Sequence, residues 1–177
     1  MIARLLQFHL HDQSAYDAFA FSDDGLFEYR WFDFYWSSAL RHPYLIRVDD
    51  HIAGFAFVRE REDEPSDWQW QIAEFFILRG LRRRGIGIAA ALELLRSRIG
   101  VWEFAYDMAN EPAKLFWKEV AFRLDESHAP ISSATGRECY HVNIKPKRAN
   151  KALEPTRPLV TGRAAARPAP SGRVAHL

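Results

Sequence analysis

A single cysteine, Cys139, stands in a chain of 177 residues. One thiol excludes an intrachain disulfide and any multi-cysteine zinc site, and fits a reducing compartment. No apolar run approaches the roughly 18 residues of a membrane-spanning helix. The opening Met-Ile-Ala-Arg-Leu-Leu-Gln-Phe-His lacks the basic segment and long apolar stretch of a secretory leader. The expectation is a soluble, cytoplasmic protein with no membrane partner. No internal repeat is present, which removes the solenoid architectures. Acidic residues are nearly missing from the C-terminal end, where residues 145–177 carry eight Lys/Arg against Glu154 alone, a balance of +7. The other 144 residues carry 16 basic and 22 acidic side chains, a balance of −6. Beyond Lys145 there are five prolines, no aromatic residue and no periodicity, so 146–177 is expected to be a basic, disordered tail behind one domain spanning 1–145. Its sparse arginines lack interleaved aromatics, which argues against nucleic acid as a partner.

What is present is core material: 48% of the residues are apolar and 14% aromatic. Ile2 to Leu10 reads as a first strand, with period-2 character in part. Asp12 or Ser14 is placed to cap a short helix through about Phe21, and the aromatic stretch Leu26–Leu40 reads as a second helix that Pro43 keeps from continuing. Tyr44–Val48 and Ile52–Arg59 flank the turn Asp49-Asp50-His51, a hairpin signal. Glu60–Asp67 is a charged loop and Trp68–Leu78 a long strand. Gly85–Ile99 is a helix with Ile88, Leu92, Leu95 and Ile99 on one stripe. Val101–Met108 is a strand, Pro112 opens a helix running to Val120, and Phe122–Asp125 and Arg137–Ile144 read as two last strands. The fold class is α/β, a mixed sheet flanked by helices.

The most telling segment is Glu74–Leu95, where an apolar strand end leads into an arginine-dense turn and then a helix that begins on Gly85 and Gly87. A helix starting on glycine offers unpaired N–H groups to a closely approaching anion, and Arg79, Arg82, Arg83 and Arg84 add charge. The pattern reads as a cradle for a pyrophosphate. Gly85-Ile-Gly87-Ile-Ala-Ala90 also fits the dinucleotide fingerprint Gly-x-Gly-x-x-Gly/Ala, with Asp107 about 20 residues on. That fingerprint directly follows a strand, however, and six residues separate Leu78 from Gly85. A P-loop is excluded because its Gly-Lys-Ser/Thr ending is missing.

Three stretches carry a family resemblance: Arg82-Arg-Arg-Gly85-Ile-Gly87, the lead-in Glu74-Phe-Phe-Ile, and Asn110-Glu-Pro-Ala113-Lys-Leu-Phe116-Trp117-Lys-Glu-Val-Ala-Phe122. Together they resemble the GCN5-related N-acetyltransferase (GNAT) superfamily, whose acyl-CoA motif is Gln/Arg-x-x-Gly-x-Gly/Ala. The resemblance implies a mostly antiparallel sheet splayed between its fourth and fifth strands, 68–78 and 101–108, with the pantetheine arm in the gap. It implies acetyl-CoA as co-substrate, no metal, and a small-molecule or peptide amine as acceptor; a homodimer is left open. The implied coenzyme contacts are Phe76, Ile77, Leu78, Arg82, Arg83, Arg84, Gly85, Ile86, Gly87, Ile88, Asn110, Phe116 and Trp117. The aromatic stretch, with Arg41 and His42 after it, falls where the superfamily usually covers its acceptor site. Two departures stand out: the family's tyrosine, often the acid that protonates the departing thiolate, is Trp117, and its usual glycine is Ala121.

Glu74 interrupts an otherwise apolar strand, and the family often draws its general base from this position. The plainer reading is a solvent-facing glutamate or a partner for one of the arginines. Asn110 equally suits a helix cap. Phe116 and Trp117 are spaced to pack on the sheet, and Tyr106 or Tyr140 is available to replace the missing acid. His9 and His11 alternate on the expected first strand, but no third ligand accompanies them, so no metal is expected there. The function implied is acyl transfer from acetyl-CoA to a primary amine by direct attack in a ternary complex. The alternative is a non-catalytic acyl-CoA-binding or sensing module, suggested by Trp117.

Overall fold

The structure is a computed structural model and describes residues 1–61, 67–124, 130–132 and 137–146. The expected tail lies outside the described residues. Six strands, β1 (Arg41–Val48), β2 (His51–Glu60), β3 (Trp70–Ile77), β4 (Gly100–Asp107), β5 (Ile131–Ser132) and β6 (Arg137–Ile144), form one sheet in the order β1-β2-β3-β4-β6-β5. All neighbours pair antiparallel except β3 and β4, which run parallel. Four helices accompany the sheet: α1 (Ile2–Gln13), the single turn α2 (Phe34–Ser37), α3 (Ile86–Arg96) and α4 (Glu111–Leu124).

The β1–β2 hairpin closes as expected on Asp49 and Asp50, whose φ angles of 47° and 63° suit a tight two-residue turn. Between β3 and β4 the pairing covers only Trp70↔Trp102, Gln71↔Glu103 and Ile72↔Phe104. Beyond Ile72 the two strands part, so the sheet is splayed between the strands expected. Ala73 sits where they part: Val58 faces Ile72 and Phe57 faces Glu74, leaving Ala73 as a bulge on β3.

Each sheet face has its own core. Under α3 and α4 lie Val58, Ile72, Trp102, Phe104, Leu94, Leu95 and Val120. The indole N–H groups of Trp70 and Trp102 donate to the carbonyls of Ile99 and Arg98, so neither large ring strands a polar atom. The opposite face packs Leu5, Leu6 and Leu10 against Phe55, Phe57, Phe76 and Tyr35. Tyr35 stacks on Phe57 at 3.8 Å between ring centroids.

Three expectations fail. Residues 2–10 are helix, because Leu5, Leu6, His9 and Leu10 are the buried set and recur at helical spacing. With α1 running to Gln13, the short helix capped by Asp12 or Ser14 is absent; Ser14 instead closes α1 through its N–H to the Leu10 carbonyl. The aromatic stretch 26–40 is mostly turn, with only α2 helical. Its helical period is overridden by Gln7, whose amide donates to the Phe27 carbonyl and accepts from the Phe27 N–H. Finally, 122–124 belong to α4 rather than to a strand, extended by the buried Val120 and Ala121 and by an Arg123–Glu119 pair at 2.6 Å. Losing the first strand makes the expected fourth strand β3.

Candidate functional site

The glycine-opened helix forms where expected. Gly85 is the N-cap of α3 with φ 81°, a conformation costly for other residues, and nothing lies within 4 Å of where a Cβ would stand. No side chain caps α3, so its first N–H groups face open space. Gly87 answers a packing need instead: a Cβ there would lie 3.1 Å from the Phe116 ring and 3.4 Å from Ile77. Ile86 is buried and Ile88 half-buried, so both anchor the helix start on the sheet.

The four arginines divide. Asp12 at the end of α1 takes both Nε and Nη2 of Arg79, at 3.0 and 2.6 Å, and Nη2 of Arg82 at 2.5 Å. Arg82 also donates from Nε to the Ile77 carbonyl at 2.7 Å, closing the end of β3. Arg83 and Arg84 are exposed and form no ion pair among the described residues, which leaves them as the uncommitted cations at the mouth. On β3, the Leu78 N–H is spent on the Ala53 carbonyl and so turns toward β2. Alternation then directs the main-chain groups of Ile77 and Phe75 into the gap.

Glu74 follows the bulge and faces the α1 side. Its Oε2 lies 2.7 Å from Nε2 of His9, and its Oε1 accepts the Tyr29 hydroxyl at 3.0 Å. The carboxylate retains 22% of its side-chain exposure while His9 keeps 5%, so the pair is open to one side only. Burial and the neighbouring Glu74 charge push the Tyr29 phenol well up, so it stays a hydrogen-bond donor. Neither histidine expected on a strand face behaves as expected: His9 is buried with its ring edge-on to Phe55 and Phe76, and His11 is solvent-facing. His9 and Tyr29 are the site residues that sequence reasoning missed, since no spacing rule joins positions 9 or 29 to position 74.

Asn110 is buried and caps α4, with Oδ1 accepting the Ala113 N–H at 3.1 Å and Nδ2 donating to Gln13 at 3.2 Å. Phe116 stacks on Phe75 beside the gap, whereas Trp117 is buried against Phe104 at 4.7 Å. A cap without side chains, two uncommitted arginines, a parted strand pair and a held carboxylate thus surround one end of β3.

The profile of the Acetyltransferase (GNAT) family matches residues 6–122, about two thirds of the sequence. The chain belongs to the GNAT acetyltransferase family. Among solved structures, this GNAT chain is similar to a putative GNAT-family acetyltransferase of Desulfovibrio desulfuricans, with a TM-score of 0.51 at 11% identity over 81% of this chain and 92% of that one. It is also similar to the ribosomal-protein-S18-alanine N-acetyltransferase of Escherichia coli, with a TM-score of 0.49 at 13% identity over 84% of this chain and 93% of the other. At such identities the likeness concerns the fold. No curated protein sequence matches this one. Within the GNAT fold, the Trp117 departure is resolved as packing: an indole in the core carries no readily ionised proton. The phenol of Tyr106, buried nearby, donates to Glu138, and burial and that carboxylate raise it, so it too remains protonated. Among the described residues no helix is long and apolar enough to cross a membrane.

Proposed function

We propose that this GNAT chain transfers an acetyl group from acetyl-CoA to a primary amine by direct attack in a ternary complex. The observation that carries the reading is the carboxylate of Glu74, held by His9 and Tyr29 at the point where β3 leaves β4. The diphosphate of the coenzyme would lie on the N–H groups of α3 from Gly85 to Ile88, with Arg83 and Arg84 nearest its charge and Arg82 shaping the rim. The pantetheine arm would follow Phe76 to Leu78, chiefly through the Ile77 and Phe75 main chain, past Phe116 and the cap residue Asn110. The domain responsible is 1–145, with 146–177 appended.

The amine lone pair forms the new C–N bond at the thioester carbonyl, and the C–S bond breaks. The nitrogen's proton passes to Glu74, directly or through water. Two of the carboxylate's lone-pair positions are occupied by His9 and Tyr29, which orient it and leave others for the incoming proton. Main-chain N–H groups on the free edge of β3 would stabilise the developing oxyanion. The leaving thiolate needs no dedicated acid, since a thiol with a pKa near about 8.5 is a tolerable leaving group.

Glu74→Gln should lower kcat/KM about 100- to 10,000-fold at neutral pH while leaving the acetyl-CoA dissociation constant unchanged. Turnover by the variant that matches wild type from about pH 6 to about pH 9 would remove Glu74 from the role. Trp117, buried where the family often places its acid, favours a second reading: a module that binds acyl-CoA without turning it over. Release of free thiol with a panel of amines, on protein shown separately to bind acetyl-CoA, separates the two readings.

A further inference from the structure

The half of the sheet made by β4 and β6 carries a second cluster of chemically active side chains, on the face away from α3 and α4. The helices of that face pack on β1, β2 and β3, and their core includes no residue of β4 or β6. On the uncovered half, Glu103 of β4 stands directly opposite His141 of β6, and Cys139 lies two residues before His141 on the same face. The His141 Nε2 is 3.0 Å from Glu103 Oε2 and 4.0 Å from Cys139 Sγ, and one ligand atom from each residue falls within 4.8 Å of the others. We infer that Glu103, Cys139 and His141 form a binding site for one borderline-soft divalent cation of the zinc type.

Donor chemistry, spacing and support argue for it together. A thiolate, an imidazole and a carboxylate are the ligands that zinc and cobalt accept, whereas magnesium and calcium demand oxygen alone. Around a tetrahedral zinc, bond lengths of about 2.0–2.3 Å place ligand atoms roughly 3.3–3.7 Å apart, so the three side chains need shift by only about an ångström or less. Glu103 is aimed in advance. Its Oε1 accepts the Gln71 amide, Gln71 in turn accepts from Arg59, and these residues stand in register across β2, β3 and β4. A ligand carboxylate fixed by a hydrogen-bonded neighbour is the usual outer support of a metal site. Glu103 and His141 keep 16% and 20% of their side-chain exposure, enough for an ion to enter. Burial and the Glu103 charge hold the Cys139 thiol up, so in the absence of a cation it is protonated, and binding sends that proton to solvent. Three protein ligands leave the fourth position to water.

The test is titration of the untagged full chain, stripped by chelator, with cobalt(II). One equivalent should produce a thiolate-to-cobalt charge-transfer band together with the visible bands of a tetrahedral ion, and zinc should abolish both. Cys139→Ser, nearly isosteric and half-buried, should retain its circular dichroism and lose the charge-transfer band. Gln71→Leu should weaken zinc binding about 10- to 100-fold. Absence of the band in folded wild-type protein would overturn the site. So would equal uptake by a folded Cys139→Ser/His141→Ala variant, which would assign the metal to other histidines.

Discussion

Glu74 draws its two partners from residues 65 and 45 positions earlier in the chain. The carboxylate is therefore aimed by α1 and by the aromatic segment, and both must be in place before it is. A second carboxylate, Asp12, does a different job one helical turn further along α1. Burial alone would raise it, but hydrogen bonds from Arg79 and Arg82 and their charges outweigh that and hold it below its ordinary 3.8. A carboxyl lowered by folding contributes stability that is present above its unfolded value and fades as pH falls through the folded one. The stability gap between wild type and Asp12→Asn should thus be full at about pH 6 and shrink below about pH 4. Denaturant melts at both pH values measure it, and an undiminished gap at about pH 3 would show that the two arginines do not set this carboxyl.

Among the elements, the β2–β3 pair is the tightest joint in the fold. A Cβ on Gly54 would stand 1.9 Å from the Phe76 carbonyl oxygen, a main-chain atom that cannot step aside. Gly54→Ala is expected to cost about 3 kcal/mol or more, read as a fall in the urea midpoint, whereas Gly80→Ala, where a Cβ meets nothing, serves as the control. Legibility in the sequence divides along the same lines. The run from Glu74 to Leu95 was readable because strand, turn and helix each follow from local chemistry: an apolar run, glycines with no competing side chain, an amphipathic stripe. The first helix was not, because Leu5, Leu6, His9 and Leu10 become a coherent face only once the sheet they cover is known. The stretch 26–40 misled for a related reason, since its period was helical but its main chain had been claimed by Gln7. The splay was expected from family resemblance; the partners of Glu74 and the burial of Trp117 depend on contacts between distant segments, which no local pattern encodes.

At the scale of the whole molecule, the open wedge between β3 and β4 has apolar cores on both faces and hydrogen-bonded strands on both flanks. A ligand entering it joins parts that the fold otherwise holds apart. Acetyl-CoA at about 100 times its dissociation constant should therefore stabilise the protein by about 2.7 kcal/mol, which for a chain of this size raises Tm by about 5–10 °C. Nicotinamide dinucleotides at equal concentration should leave Tm where it was, and the reverse pattern would move the glycine-opened helix to another class of ligand.

One residue decides which way the chemistry looks. Ala73 has no counterpart on β2, and its presence reverses the parity of everything after it. Trp70 and Ile72 turn toward α3 and α4, and after the extra step Phe75 does so too, while Glu74 looks the other way. Excising Ala73 would slide the ladder by a single tooth. The carboxylate would then be thrust among Phe104 and Trp117, and the Phe75 ring would be cast out into the place that His9 and Tyr29 now guard. Such a protein should lose its fold and its acyl transfer together, although not one atom of a ligand-contacting side chain had been changed.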